Sequence, residues 1–275
     1  MLISLCNEVI RELDFGRQCE FARQAGYDGL EIAPFTLGED PHRLSAARRT
    51  EVRRAAANAG IAITGLHYLL LAPEGLSITS ADAAKRQRTV EVMRGLCDLA
   101  ADLGGKILVH GSPAQRVLDA GGEAQGRKHG AECFAAIAET AEKAGVTYCI
   151  EPLSRQDTAF VNTVEQAAQI VRDIGSPAVR TMIDCSAAAR TEAQAIPDLI
   201  RGWLSTGLVA HVHLNDPNRR GPGEGELKFA PILQALKTAG YAGNAAVEPF
   251  IYEPDGPTCA ARAIGYIRGQ QEALA

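Results

Sequence analysis

A single (β/α)8 TIM barrel is the fold that the sequence predicts, on three observations. Eight short β-rich runs alternate with longer segments of helical period. The chain has 275 residues, close to the roughly 250 that one such barrel needs. No linker or change of composition divides it, so one domain over 1–275 is expected. Regular β-then-α alternation implies parallel strands with right-handed crossovers. A doubly wound open sheet is the competing arrangement, and eight uninterrupted units favour closure.

In chain order the first run is LISLCN (2–7), followed by the helical FGRQCEFARQAGY (15–27). GLEIAP (29–34) leads to HRLSAARRTEVRRAAANAG (42–60), and IAITGLHY (61–68) to AAKRQRTVEVMRGLCDLAADLG (83–104). KILVHG (106–111) precedes GAECFAAIAETAEKAG (130–145). VTYCIEP (146–152), VRTMID (179–184), LVAHVHL (208–214) and NAAVEPF (244–250) complete the strands, with a helix expected from near Ala230. The helical segments repeat apolar residues at helical spacing and often end in glycine, a stop signal.

Composition narrows the function. A formal net charge of −5 with scattered basic residues opposes nucleic-acid binding, which leaves a basic footprint. A small, neutral or locally recognised substrate fits better. No apolar run approaches the roughly 18 residues of a membrane span, and MLISLCNEVIRELDF turns acidic too soon for a signal peptide. Seven cysteines without a C-x-x-C pair do not make a disulfide framework. Cys6, Cys149 and Cys185 lie in apolar runs, where a reduced thiol behaves as a small hydrophobe. A reduced, cytoplasmic enzyme without membrane or nucleic-acid partners is expected.

Active sites of this fold lie at the C-terminal ends of the strands. Those ends read Asn7, Glu31, His67, His110, Glu151, Asp184, His213 and Glu248. Glu151, Asp184, His213 and Glu248 close the fifth to eighth strands, which are neighbours in a barrel. Three carboxylates and an imidazole on one rim repel without a counter-charge, and an oxygen-rich set with one nitrogen suits Mn²⁺, Mg²⁺ or Co²⁺. Because strand side chains alternate, His211 and His213 share a face. His213, nearer the rim, is the better ligand, while the deeper His211 is either an orienting donor behind it or a plain core histidine.

CIEPLSRQD, MIDCSA, HVHLNDPNRRGPGEGEL and AVEPF stand in the order and spacing of one family. Over nearly its whole length the chain resembles the xylose-isomerase-like sugar isomerase/epimerase superfamily, nearest to ketose 3-epimerases and hydroxypyruvate isomerases. The resemblance implies that Glu151, Asp184, His213 and Glu248 bind one divalent metal ion, with Mn²⁺ the first choice. It implies substrate contacts for Arg219 and for Asp157, one methylene shorter than the family's glutamate. It also implies acid–base roles for Glu151 and Glu248: one removes a proton from an α-hydroxycarbonyl, the other returns one through an enediolate. Family members are often dimers or tetramers, so a homo-oligomer acting on a small carbohydrate is expected.

The family's D-x-x-H pattern is broken: in DCSAAAR, Ala187 stands where a substrate-binding histidine belongs. His67 and His110 are the candidates to supply the missing donor, and HGSPAQR looks like a loop reaching substrate. Arg220 is expected in solvent, Arg155 as an ion-pair partner or a substrate ligand, and Trp203 in helix packing. Tyr68 and Phe35 are candidate apolar walls, and Asp216 a residue that fixes its loop or a ligand. GPGEGELKF (221–229) lacks the lysine and immediate helix of a P-loop and reads as a tight turn. Three rivals remain: a metal-dependent dehydratase or lyase, in which the enolate expels a substituent; an endonuclease-IV-like enzyme, which needs more histidines and a basic groove; and a non-catalytic sugar-binding relative, which would not need two positioned glutamates.

Overall fold

The structure, a computed structural model, describes residues 1–274. Its strands are β1 (Leu2–Cys6), β2 (Gly29–Ile32), β3 (Ala62–Leu66), β4 (Ile107–His110), β5 (Thr147–Ile150), β6 (Val179–Asp184), β7 (Val209–Leu214) and β8 (Asn244–Val247). They close in sequence order into a barrel, every pairing parallel, with β8 returning to β1. The helices are α1 (Phe15–Ala25), α2 (Ala46–Ala59), α3 (Ala83–Leu103), α4 (Glu123–Ala135), α5 (Ala138–Ala144), α6 (Val164–Ile174), α7 (Cys185–Thr191), α8 (Ile196–Leu204), α9 (Phe229–Thr238) and α10 (Gly256–Ala273). None among the described residues is long and apolar enough to cross a membrane.

All eight expected strands form, and most stop short of the apolar run that announced them. Pro34 and Pro152 close two of those runs and Pro249 stands one residue from the end of a third, and proline has no N–H for the ladder. Asn7 and Pro34 begin 3-10 turns instead. Glycine ends α1, α2, α3 and α5 in the left-handed conformation at Gly26, Gly60, Gly104 and Gly145, which costs least without a Cβ. The segment expected as one helix over 130–145 is two: α4 begins earlier, at Glu123, and the chain breaks at Ala136–Ile137. There the Arg94 guanidinium donates to the Ala136 carbonyl from α3 (2.8 and 3.2 Å).

One large apolar core packs the helices against the outer barrel face, while Val109, Cys149 and Met182 form a separate small cluster. Alternation along a strand then puts Gly111, Glu151 and Asp184, two residues further on, over that cluster. Register brings Asp184 opposite His213. The barrel's inner face therefore rises from an apolar plug into a layer of acids and imidazoles.

Candidate metal and substrate site

Donor atoms of Glu151, Asp184, His213 and Glu248 all lie within 4.8 Å of one another. The residues come from the C-terminal ends of β5 to β8, and all four are buried. His213 Nδ1 faces the group: Glu248 Oε2 is 2.9 Å away, Glu151 Oε1 3.9 Å and Asp184 Oδ2 4.0 Å. Burial, and then the charges of Glu248 and Asp184, push the Glu151 carboxyl well above the usual carboxylate range. Burial likewise raises Asp184 and Glu248, against the pull of His213. For His213, burial disfavours the charged ring, but Glu248 and Glu31 outweigh it and hold it protonated well above the usual range. An acidic cluster of three carboxylates and one nitrogen, this tightly gathered, has the donor chemistry of a divalent-cation site.

Supporting bonds orient these groups. Asp184 caps α7, its Oδ1 accepting from Ala187 N at 2.6 Å, while Oδ2 accepts from Asn215 Nδ2 at 2.7 Å. Behind His213, Nε2 is bonded to Glu31 Oε1 at 2.8 Å, and His211 Nε2 lies 2.8 Å from Glu31 Oε2. Burial opposes ionisation of Glu31, yet His211 and His213 overcome it and hold the carboxyl well below its usual range. His211 is thus a partner of Glu31, one layer beneath His213. Under Glu151 lies Arg116, fully buried, which donates to the carbonyls of Glu151 (2.9 Å) and His110 (2.8 Å). Burial lowers its pKa to about 10, still leaving it charged at neutral pH.

A cleft of about 590 Å³, partly open to solvent, lies above this cluster. Besides Glu151, Asp184 and Glu248 it is lined by Tyr68, Pro113, Asp157, Ala187, Arg190, Arg219 and Phe250, with Gly111 and Leu153 completing the wall. Arg219 and Asp157, both expected at the substrate, are in that lining. Two of the three non-glycine residues with positive φ, Tyr68 (51°) and Arg219 (68°), face the cleft. Such conformations cost about 1–3 kcal/mol and persist only where surroundings fix them. For Arg219, its carbonyl accepts from Phe250 N (2.8 Å) and Ile251 N (3.0 Å), and its side chain stacks over Phe250 at 5.1 Å. Asp216 fixes the loop as expected, accepting from the backbone of Asn218 and Leu227.

Other expected contacts fall elsewhere. His110 is fully buried outside the cleft lining, its Nδ1 bonded to the Tyr148 hydroxyl (2.7 Å) and its ring edge-on to Phe134. Val109 on β4 and Gly111 just after it face inward, so the residue between them points at the helices. Burial, reinforced by Arg116, keeps His110 neutral. His67 does turn inward but sits below the cleft floor, with Nε2 bonded to Glu8 Oε2 (2.7 Å) and 4.0 Å from Glu248. Neither histidine supplies a donor to the cleft. Asn7 also points out of the barrel, toward Gln18 and Thr36, and Glu8 takes the inward place. Phe35 packs edge-on behind Tyr68 instead of forming wall itself. Arg220 is ion-paired to Glu253, where free solvent exposure was expected. Arg155 is exposed outside the cleft lining, and Trp203 packs on α8 beneath Arg172.

Residues 19–270 match the model of a family described as xylose isomerase-like TIM barrel. D-psicose 3-epimerase of Agrobacterium fabrum is 29% identical over 243 residues, covering 86% of this chain and 80% of that protein. L-ribulose 3-epimerase of Mesorhizobium japonicum is 32% identical over 236 residues, covering 84% and 74%. The crystal structure of D-psicose 3-epimerase with D-tagatose from Clostridium cellulolyticum superposes with a TM-score of 0.82 over 98% of both chains. At 21% identity that likeness concerns the fold.

Proposed function

The chain belongs to the xylose isomerase-like TIM barrel family, and from that premise we propose that it is a metal-dependent isomerase or epimerase of a ketose or related α-hydroxycarbonyl. The observation that carries this reading is the convergence of Glu151, Asp184, His213 and Glu248 at the floor of the cleft. These four would hold one divalent ion, with Mn²⁺ the first choice. When bound, it supplies Lewis-acid stabilisation of the charge that develops on the substrate oxygens as a carbon-bound proton leaves.

The chain's own residues do the rest. Glu151 and Glu248 rise from β5 and β8, with two strands between them, so they address a substrate from different sides. One takes the proton from carbon and the other delivers a proton. Return to the opposite face of the same carbon inverts it; return to the neighbouring carbon interconverts aldose and ketose. Asn215 and the α7 amide hold the Asp184 carboxylate, Glu31 holds the His213 ring, and Arg219 offers its fork to substrate oxygen. Incubation of ketoses and aldoses in D₂O with Mn²⁺ tests the reaction type. Deuterium at carbon with no loss of water or of a leaving group is expected; elimination products without exchange would establish the dehydratase or lyase reaction instead.

Two smaller substitutions probe the support of the site. A Cβ on Gly111 would collide with the Glu151 carboxylate. Gly111→Ala is therefore expected to lower kcat about 100-fold, the cost of displacing a reacting group by roughly 1 Å, with an unchanged circular dichroism spectrum. Glu31→Gln keeps the volume but loses the charge that fixes His213, and metal affinity measured by titration is expected to fall about 10–100-fold. An affinity equal to wild type would mean that Glu31 does not orient the ligand.

A further inference from the structure

Helix α7 starts directly on Asp184, and Ala187 presents only a methyl group to the cleft where the related pattern has a histidine. Three residues on, about one turn further up the helix, Arg190 lines the same cleft. Its side chain is only 20% exposed. Nε donates to Ser186 O (3.2 Å) and Nη2 to Asp157 Oδ2 (3.0 Å), and Asp157 itself accepts from Ser154 Oγ (2.6 Å). The guanidinium is thereby fixed along one edge, and its Nη1 has no acceptor among the described residues. On the next loop, Arg219 is held over Phe250 and makes no side-chain hydrogen bond or ion pair with a described residue. Asp157, Arg190 and Arg219 follow β5, β6 and β7, so they form one continuous arc of wall carrying two guanidiniums against one carboxylate. The remaining wall, Tyr68, Pro113, Leu153 and Phe250, is uncharged.

We propose that Arg190 replaces the missing histidine as the specificity-determining donor, and that with Arg219 it selects a hydroxycarbonyl substrate carrying a terminal carboxylate. This rests on the reaction assigned above and adds the charge of the substrate. A guanidinium fork matches a carboxylate in two parallel bonds, whereas the hydroxyls of a neutral sugar gain little from a second positive charge. A divalent ion would neutralise most of the acidic floor, and the arc beside it carries one more guanidinium than carboxylate. Because Arg190 stands one turn further out than Ala187, the group that it contacts is the end of the substrate, away from the reacting carbons.

The test uses the Mn²⁺-loaded enzyme and matched pairs of 2-ketohexoses and 2-ketohexuronates, which differ only in a terminal CH₂OH or carboxylate. Binding is measured by calorimetry and proton transfer by deuterium exchange. At least one acid is expected to bind about tenfold or more tighter than its neutral partner, the range of a charge-assisted contact. Arg190→Gln should bring the two within about twofold, and Arg190→Lys should recover part of the difference. Neutral ketoses binding as tightly as the acids in every pair would overturn the proposal. So would Arg190→Gln weakening both partners equally, the result of a purely structural Arg190–Asp157 pair. Arg190-dependent preference for acids without any exchange would uphold the arginine's role and refute the proton-transfer reading; exchange of neutral ketoses with no acid preference would do the reverse.

Discussion

Chelator-stripped protein is expected to lose at least about 1,000-fold in turnover, and Mn²⁺ to restore it. Two carboxylates cannot deprotonate a carbon acid efficiently unless the charge left behind is stabilised, and Lewis-acid stabilisation of that charge supplies several kcal/mol; at 1.36 kcal/mol per factor of ten, about 4 kcal/mol gives this loss. The same experiment has a stability readout. Glu151, Asp184 and Glu248 crowd together around His213, and burial and mutual repulsion already push the Glu151 carboxyl up. A bound cation relieves that crowding, so the melting temperature should rise with added Mn²⁺, by the equivalent of about 2.7 kcal/mol at 100 times Kd. Full activity after stripping, with the metal content verified, would refute the mechanism.

Glu151→Gln and Glu248→Gln are each expected to reduce kcat by about 10²–10⁴, the usual contribution of a positioned acid or base, with further loss from weaker metal binding. Stability should separate the two. In metal-stripped protein Glu151→Gln relieves the crowding of acids at unchanged side-chain volume and should not melt below stripped wild type, whereas Glu248→Gln also gives up the buried pair with His213 and should melt lower. A single glutamate that tolerates the change with near-normal turnover would end the paired-acid role. A variant that lost activity only because it unfolded would show itself in the melting curve.

Much of this site could be read before the structure. Each of the four candidate ligands stands within two residues of the end of an apolar run, so its place on a rim follows from the barrel alone, and these four do converge. Parity was the weak point. The last polar residue of a run marks a rim position, but only every second residue faces inward. That rule, applied strictly to ILVHG, would have assigned Gly111 to the cleft and His110 to the helices, and applied to LCNE it would have chosen Glu8 over Asn7. Glu31 stands one residue before the end of β2, with no motif around it that announces a role. Its bond to His213 crosses the barrel from β2 to β7, a contact 182 residues apart in sequence that no local pattern carries, and its other oxygen lies against His211. Arg116 and Arg190 were hidden for a different reason: arginine is common on surfaces, and only the packing shows one fully buried under Glu151 and the other turned into the cleft.

The central claim is that the four converging residues form one divalent-metal site, and titration of stripped protein with Mn²⁺ tests it most directly. The prediction is one saturable ion per chain for wild type, with affinity reduced at least about tenfold in Asp184→Asn. Asparagine keeps the α7 cap, because it serves there as well as aspartate, so the loss would report the ligand and not the helix. No saturable binding, or binding that Asp184→Asn leaves unchanged, would contradict the account.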